Sequence, residues 1–275
     1  MNHTPHTQDH HEHTHNHNYS SANEEFFNNQ AETYENKPQA QELARRISKA
    51  MRETYPSLFD EDQTSLLDYA CGPGLVSREL CAYVKSIVGV DISQGMVDRY
   101  NVRVANQGIP PEEMRAVKVE LKGDGSELDG ARFDVIIVSI SLSLSQSLLL
   151  LTWNMEHSPY GTDNTLYALC SSIQCVAAYH HFASVDETTR ILGSFLKPGG
   201  SLLVADIVND GSDKNPLGHF GHVVAHTAGF SEEEMQRLVE GAGLEDFKFT
   251  IAIPNVRLHE TDVQIFLAKA VRPQT

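Results

Sequence analysis

Asp68, Gly72 and Gly74 stand in the run Leu66-Leu67-Asp68-Tyr69-Ala70-Cys71-Gly72-Pro73-Gly74-Leu75-Val76-Ser77. An apolar pair ends at an acid, a loop carries two glycines one residue apart, and a helical pattern begins behind them. Glycine permits positive φ and lets a ligand touch the backbone. A helix N-terminus behind such a loop offers unpaired N–H groups. This is the chemistry of a nucleotide-type pocket at the end of a parallel strand. A dinucleotide fingerprint, G-x-G-x-x-G, needs a third glycine where Ser77 stands. The carboxylate of Asp68, four residues before the first glycine, suits a cationic ligand better than a pyrophosphate. Asp91 closes a second apolar run, where a carboxylate can hold both hydroxyls of a ribose.

Histidines supply the remaining candidates. His180 and His181 are adjacent in Tyr179-His-His-Phe182. Either could act as a base or touch a substrate, or the pair could simply mark and cap a strand-to-helix turn. His219, His222 and His226 lie in a glycine-rich loop. Their spacing could bind metal, but a polar lid fits better, and no metal site is assigned. Cys71 has no evident base beside it and reads as a small loop residue. Residues 1–22 hold seven of the 14 histidines. This stretch reads as a disordered, solvated tail that binds metal only incidentally.

These residues need a scaffold. Leu43, Ile47 and Met51 mark a helix from Pro38 to about Thr54. Strands are expected at 64–69, 86–90, 114–121, 133–138 and 201–206, with helices at 75–84 and after Ser93. Ser184-Val-Asp-Glu187 and Ser231-Glu-Glu-Glu234 read as capping boxes, the second with a Phe230–Met235 hydrophobic staple. Lys197-Pro-Gly-Gly200 reads as a turn. Two final strands, 247–253 and 263–270, have no helix between them and are expected to pair antiparallel at one edge. The alternation predicts an α/β fold: a doubly wound, Rossmann-like, seven-stranded sheet, mostly parallel with an antiparallel edge strand.

Composition narrows the partners. The chain has 275 residues and a formal net charge of −16. That excess argues against nucleic acid and against an anionic membrane. Cys71, Cys81, Cys170 and Cys175 form neither a C-x-x-C pair nor a disulfide scaffold. With no secretory or transit pattern at the N-terminus, a cytoplasmic location is expected, with a small molecule as partner.

The motifs D-x-x-C-G-x-G and Val-Gly-Val-Asp91 stand in order with Gly123-Asp124, Phe133-Asp-Val-Ile-Ile137, Tyr179-His-His-Phe182 and Leu196-Lys-Pro-Gly-Gly-Ser-Leu-Leu-Val204. Together they resemble the class I S-adenosylmethionine-dependent methyltransferases, in the UbiE-like and type 11/12 groups, over about residues 24–270. The resemblance implies S-adenosylmethionine as cofactor and methyl transfer to a small-molecule acceptor at O, N, S or C. It implies that Asp68, Gly72 and Gly74 cradle the methionine end. Asp91 would hold the ribose, Ile92 and Met96 would lie against the adenine, and Asp124, with Gly125 beside it, would take the adenine amino group. Tyr34 would match the aromatic of an N-terminal segment that closes over the cofactor.

One stretch breaks the pattern. Joining Ile137 to Cys175 yields Phe-Asp-Val-Ile-Ile-Cys-Val-Ala-Ala-Tyr-His-His-Phe, an uninterrupted strand running into the histidine turn. Residues 138–174 therefore read as an insertion, too short and polar at Val135–Leu151 for a membrane span. Val138-Ser139 can be encoded by a splice-donor sequence and Gln174 by an acceptor end, so a retained intron is the favoured origin. A surface insertion is the rival. Either could impair the reacting half of the site, leaving a non-catalytic S-adenosylmethionine- or metal-binding protein as the alternative function.

Overall fold

The computed structural model describes residues 18–34, 36–139, 141–144, 173–176, 179–258 and 261–274. The histidine-rich stretch 1–17 and most of 138–174 lie outside the described residues. The chain runs α1 (Tyr19–Tyr34), α2 (Pro38–Thr54), β1 (Ser65–Tyr69), α3 (Leu75–Leu80), β2 (Ser86–Asp91), α4 (Gln94–Asn106) and β3 (Met114–Lys118). It continues through β4 (Phe133–Ser139), β5 (Ser141–Leu144), β6 (Ile173–Val176), α5 (Val185–Phe195), β7 (Leu196–Ile207), α6 (Glu232–Gly241), β8 (Glu245–Leu258) and β9 (Thr261–Val271).

Seven strands form one sheet in the order β3-β2-β1-β4-β7-β9-β8. The first five are parallel, and β9 runs antiparallel to both its neighbours. This is the doubly wound α/β sheet with the antiparallel edge that the pattern predicts. Burial on both faces makes the strands continuous apolar runs. Leu66, Ile87, Val135 and Leu203 pack in one cluster with residues of α2, α3 and α4. Leu67, Val88, Ile136 and Leu202 pack in the other with residues of α5 and α6. The chain winds outward from β1 to β3, then returns to lay β4 on the other side of β1. A crevice opens at the C-terminal ends of the strands where the order reverses.

Local details both follow and depart from the pattern. Ser93 caps α4 by accepting from the N–H of Met96, and both halves of the Ser231/Glu234 box form. The Ser184 box does not form. Its hydroxyl donates to Asp186 at 2.9 Å, a shorter reach that removes the side chain from the helix end. Residues 197–200 lie within β7 as an irregularity, since Leu196 pairs with Phe133 and Ser201 with Val135. Strand β3 stops at Lys118, three residues earlier than expected. Helix α1 starts at Tyr19, inside the stretch read as tail.

Strand β4 is complete. Asp134 fastens its start to β1 by accepting from the Ser65 N–H and hydroxyl at 2.8 and 2.7 Å, and Lys197 reaches the same oxygen at 2.8 Å. At its far end Val138 pairs with Tyr69 and Val204, and Ser139 with Ala205. The sequence pattern places the break at Val138, but the sheet takes in that residue and the next, because β7 runs on beside both after β1 has ended at Tyr69. Beyond Ser139, β5 and β6 form a separate antiparallel pair, with Ser141 opposite Val176. The segment thus leaves and returns at one place. Among the described residues no helix is long and apolar enough to cross a membrane.

Candidate active site

A cavity of about 490 Å³ occupies the crevice. The ends of β1 and β2 form its floor through Tyr69, Ala70, Gly72, Val90, Asp91 and Ile92. Met96 of α4, the segment Val119–Lys122 beyond β3, the turn His181–Ser184 and the start of α5 complete the sides. Helix α1 closes the top with Tyr19, Ser20, Asn23 and Phe27.

Asp91 is the centre of the floor. One of its oxygens accepts from the Gly72 N–H at 2.8 Å and the other from the Ser93 N–H at 2.8 Å. The carboxylate therefore ties the glycine loop to the start of α4, and each oxygen keeps a lone pair for a ligand hydroxyl. Burial pushes its pKa up to about 6. Gly72 turns with φ +52° to aim that N–H. Gly74, at φ +80°, is off the wall and sits against the Tyr100 ring, where an added Cβ would lie 2.5 Å from a ring carbon. Asp68 does not reach the wall either. It is 1% exposed behind the loop and accepts from the Ser77 hydroxyl at 2.6 Å. Burial, with Asp91 nearby, pushes it up to about 7, against the pull of the Ser77 hydrogen bond. Ser77, which breaks the dinucleotide fingerprint, is thus the residue that holds Asp68.

The residues expected at the adenine divide. Ile92 and Met96 line the cavity, whereas Asp124 and Gly125 do not. Because β3 ends early, Val119–Lys122 pass along the cavity and the chain has turned away by Asp124. The Asp124 carboxylate accepts from the Ser126 N–H and hydroxyl, each at 2.8 Å, and faces solvent. Glu120 is the acid on the wall. Glu127 fixes this turn by accepting from the backbone of Lys122, Gly123 and Asp124.

Tyr34 ends α1, away from the residues of that helix that meet the cavity. Tyr19, Asn23 and Phe27 recur every four residues and so share one helix face. Polar contacts hold the helix down. Ser20 donates to Glu120 at 2.9 Å, Glu24 pairs with Lys118 at 2.6 Å, and the Asn28 side-chain oxygen accepts from the Ser93 hydroxyl at 2.8 Å and the Gly95 N–H at 3.0 Å.

His181 lines the cavity and His180 lies behind it, with the rings stacked at 5.0 Å. His180 Nδ1 meets Asp206 at 2.7 Å, and its backbone N–H donates to the other oxygen of that carboxylate at 3.1 Å. His181 Nδ1 contacts the Val223 carbonyl and the Asn23 side-chain oxygen. Burial, together with neighbouring His180, holds its pKa well below the usual imidazole value. Asp206 has no sequence signal beyond its place at the end of an apolar strand. His226 reaches the Phe182 carbonyl at 3.1 Å, and His222 meets the Phe26 ring edge-on. Among the described residues no group of three or more His, Cys, Asp or Glu is placed to hold a metal ion.

A protein-family model described as a methyltransferase domain matches residues 39–248. The chain belongs to that family. An uncharacterised methyltransferase of Schizosaccharomyces pombe is 31% identical over 189 residues, covering 66% of this chain and 54% of the relative. The chain thus spans about half the length of that curated relative. Among solved structures, phosphoethanolamine N-methyltransferase 2 of Haemonchus contortus, held with phosphomonomethylethanolamine and S-adenosylhomocysteine, superposes with a TM-score of 0.55 at 13% identity, over 83% of this chain and 53% of that one. The [4+2]-cyclase SpnF superposes with a TM-score of 0.54 at 15% identity, over 84% of this chain and 82% of that one. Both share the methyltransferase-type fold. The cyclase shows that the fold alone does not fix the reaction.

Proposed function

We propose that this protein binds S-adenosylmethionine in the α1-covered cavity and transfers its methyl group to a small-molecule acceptor. The observation that carries the reading is the Asp91 carboxylate, buried at the end of β2, bound to the Gly72 N–H and open to the cavity. The donor set fits an adenosyl ligand bearing positive charge. Asp91 has free lone pairs for two ribose hydroxyls, Val90, Ile92 and Met96 offer an apolar bed for a base, and three carboxylates (Asp91, Glu120 and Glu187) stand on the wall against one ammonium, Lys122. A pyrophosphate has no such welcome. Asp68 acts from behind, by placing Ser77 and the loop.

When bound, the cofactor supplies an electrophilic methyl group on a sulfonium. The chain supplies orientation and dryness, which together can lower a barrier by roughly 7–11 kcal/mol. Helix α1 excludes water from above. His181, on the cavity wall, is the candidate group to contact the acceptor. The free thiols of Cys71 and Cys81 suit a reducing compartment such as the cytoplasm.

A second reading has one observation behind it. In the chain, the β5–β6 pair stands between β4 and the histidine turn. If this segment is a retained intron, the form carrying it binds cofactor with impaired turnover. The experiment is titration calorimetry with S-adenosylhomocysteine, plus an assay with labelled S-adenosylmethionine against a metabolite extract, on the full chain and on a chain lacking 138–174. Micromolar binding by the full chain and labelled product from at least one form are expected. Absence of binding in both forms overturns the reading. Equal turnover in both removes the impaired-form alternative.

A further inference from the structure

Helix α4 starts at the cavity floor, and its cap is built by two segments of chain. The first N–H groups of a helix have no partner inside it. Ser93 serves the N–H of Met96, accepting at 3.2 Å. The N–H of Gly95 is served from α1: it donates to the Asn28 side-chain oxygen at 3.0 Å. A peptide N–H can only donate, so this contact fixes which way the Asn28 amide faces. The same oxygen accepts from the Ser93 hydroxyl at 2.8 Å. That hydroxyl has one proton; giving it to Asn28 leaves a lone pair for Met96. The Ser93 N–H donates to Asp91 at 2.8 Å. Asn28, Ser93 and Asp91 thus form one line of bonds from the cover of the cavity to its floor. Helix α1 fits closely here, since a Cβ added to Gly95 would stand 3.0 Å from that of Ala31.

We propose that Asn28, which does not itself line the cavity, is a positioning residue for the cofactor. By completing the cap of α4 it adds the last restraint on Ser93 and, through Ser93, on the Asp91 carboxylate. Docking of α1 and binding of a ribose at Asp91 therefore strengthen each other, as two events that share one network must. The proposal rests on the methyltransferase reading of the cavity. The other polar ties of α1 lack this connection. Ser20 and Glu24 bond to Glu120 and Lys118, at the end of β3 and just beyond it. Glu32 pairs with Arg99 at 3.5 Å, further along α4 than the cap.

The test is the release rate of S-adenosylhomocysteine from the immobilised full-length protein, read by surface plasmon resonance, together with amide exchange over residues 19–34 with and without that ligand. In the parent the ligand is expected to slow exchange over 19–34. Asn28 is exposed, so its variants are expected to fold. Asn28→Ala is expected to release the ligand about five-fold faster and to lose most of the slowing. Asn28→Asp, whose carboxylate accepts from the same two donors, is expected to restore both within about two-fold of the parent. Glu32→Ala loosens α1 without touching the cap and is expected to stay within about two-fold as well. Four results would each overturn the proposal: exchange over 19–34 indifferent to the ligand in the parent, release from Asn28→Ala within about two-fold of the parent, no rescue by Asp, or release from Glu32→Ala as fast as from Asn28→Ala. Failure of the parent to bind S-adenosylhomocysteine would instead sink the methyltransferase reading beneath it.

Discussion

Both halves of the cavity rest on a buried carboxylate, but the two are assembled differently. Asp91 draws its partners from close by in the chain: Ser93 is two residues away and Gly72 nineteen. Asp206 sits 26 residues from His180, and His181 reaches back 158 residues to Asn23. The nucleotide half is made of adjacent β-turn-α units. The histidine half is gathered from α1, the turn after β6, the end of β7 and the loop around Val223. Local construction makes the Asp91 floor of the first half self-sufficient, although α1 covers it from a distance in the chain, whereas the second half depends throughout on segments that the sheet alone does not align. Substitutions in the first half should therefore act on cofactor affinity, and those in the second on turnover.

The hardest blow to this division is Asp91→Ala. Losing charge-assisted bonds to two ribose hydroxyls is expected to weaken S-adenosylhomocysteine binding by at least about 100-fold, read by calorimetry. A loss below ten-fold would mean the ribose lies elsewhere. Next comes His181→Ala, expected to lower kcat by about 100-fold with cofactor affinity changed less than three-fold. If affinity falls with kcat, the two halves are one unit and the division fails. Gly74→Ala probes the packing behind the floor. A Cβ driven into Tyr100 at positive φ is expected to cost about 1–3 kcal/mol in denaturant unfolding.

The smallest effect concerns Asp68 and pH. Its folded-state pKa, about 7, lies above the ordinary value of 3.8. The folded form therefore holds a proton that the unfolded form has lost, and stability from this group falls as pH rises between those values, then levels off. Asp68→Asn removes that loss and can still accept from Ser77. Its melting temperature without cofactor should match the parent near pH 4 and exceed it by about 2–4 °C at pH 8. A difference that shrinks with rising pH would show that Asp68 is stabilised as an anion.

The same contrast explains what the sequence revealed. The doubly wound sheet, the glycine loop and the place of Asp91 at a strand end are legible because each is encoded within a β-turn-α unit. Asp124 was misplaced because a turn acid and a cavity acid look alike in sequence, and only the early end of β3 decides between them. Helix α1 is not legible as an element because much of its hold on the body is polar, beside the packing of Phe26, Phe27 and Ala31. Ser20, Asn23, Glu24 and Asn28 are residues that a solvated segment would also carry, and their partners lie far away in the chain. Asp206 was invisible as a partner for the same reason. The Ser184 motif met the spacing rule, yet its hydroxyl took a nearer acceptor.

The completed end of β4 bears on how this chain tolerates length. Ser141–Leu144 and Ile173–Val176 lie side by side, outside the seven strands, where the chain leaves the sheet and returns. Loop closure grows only logarithmically with length, at about 0.6 kcal/mol per doubling. A chain in which Cys175 follows Ile137 would lay Cys175 and Val176 in the places of Val138 and Ser139, beside Val204 and Ala205. Long and short versions would thus satisfy the same sheet register, and the closure term alone separates them only weakly.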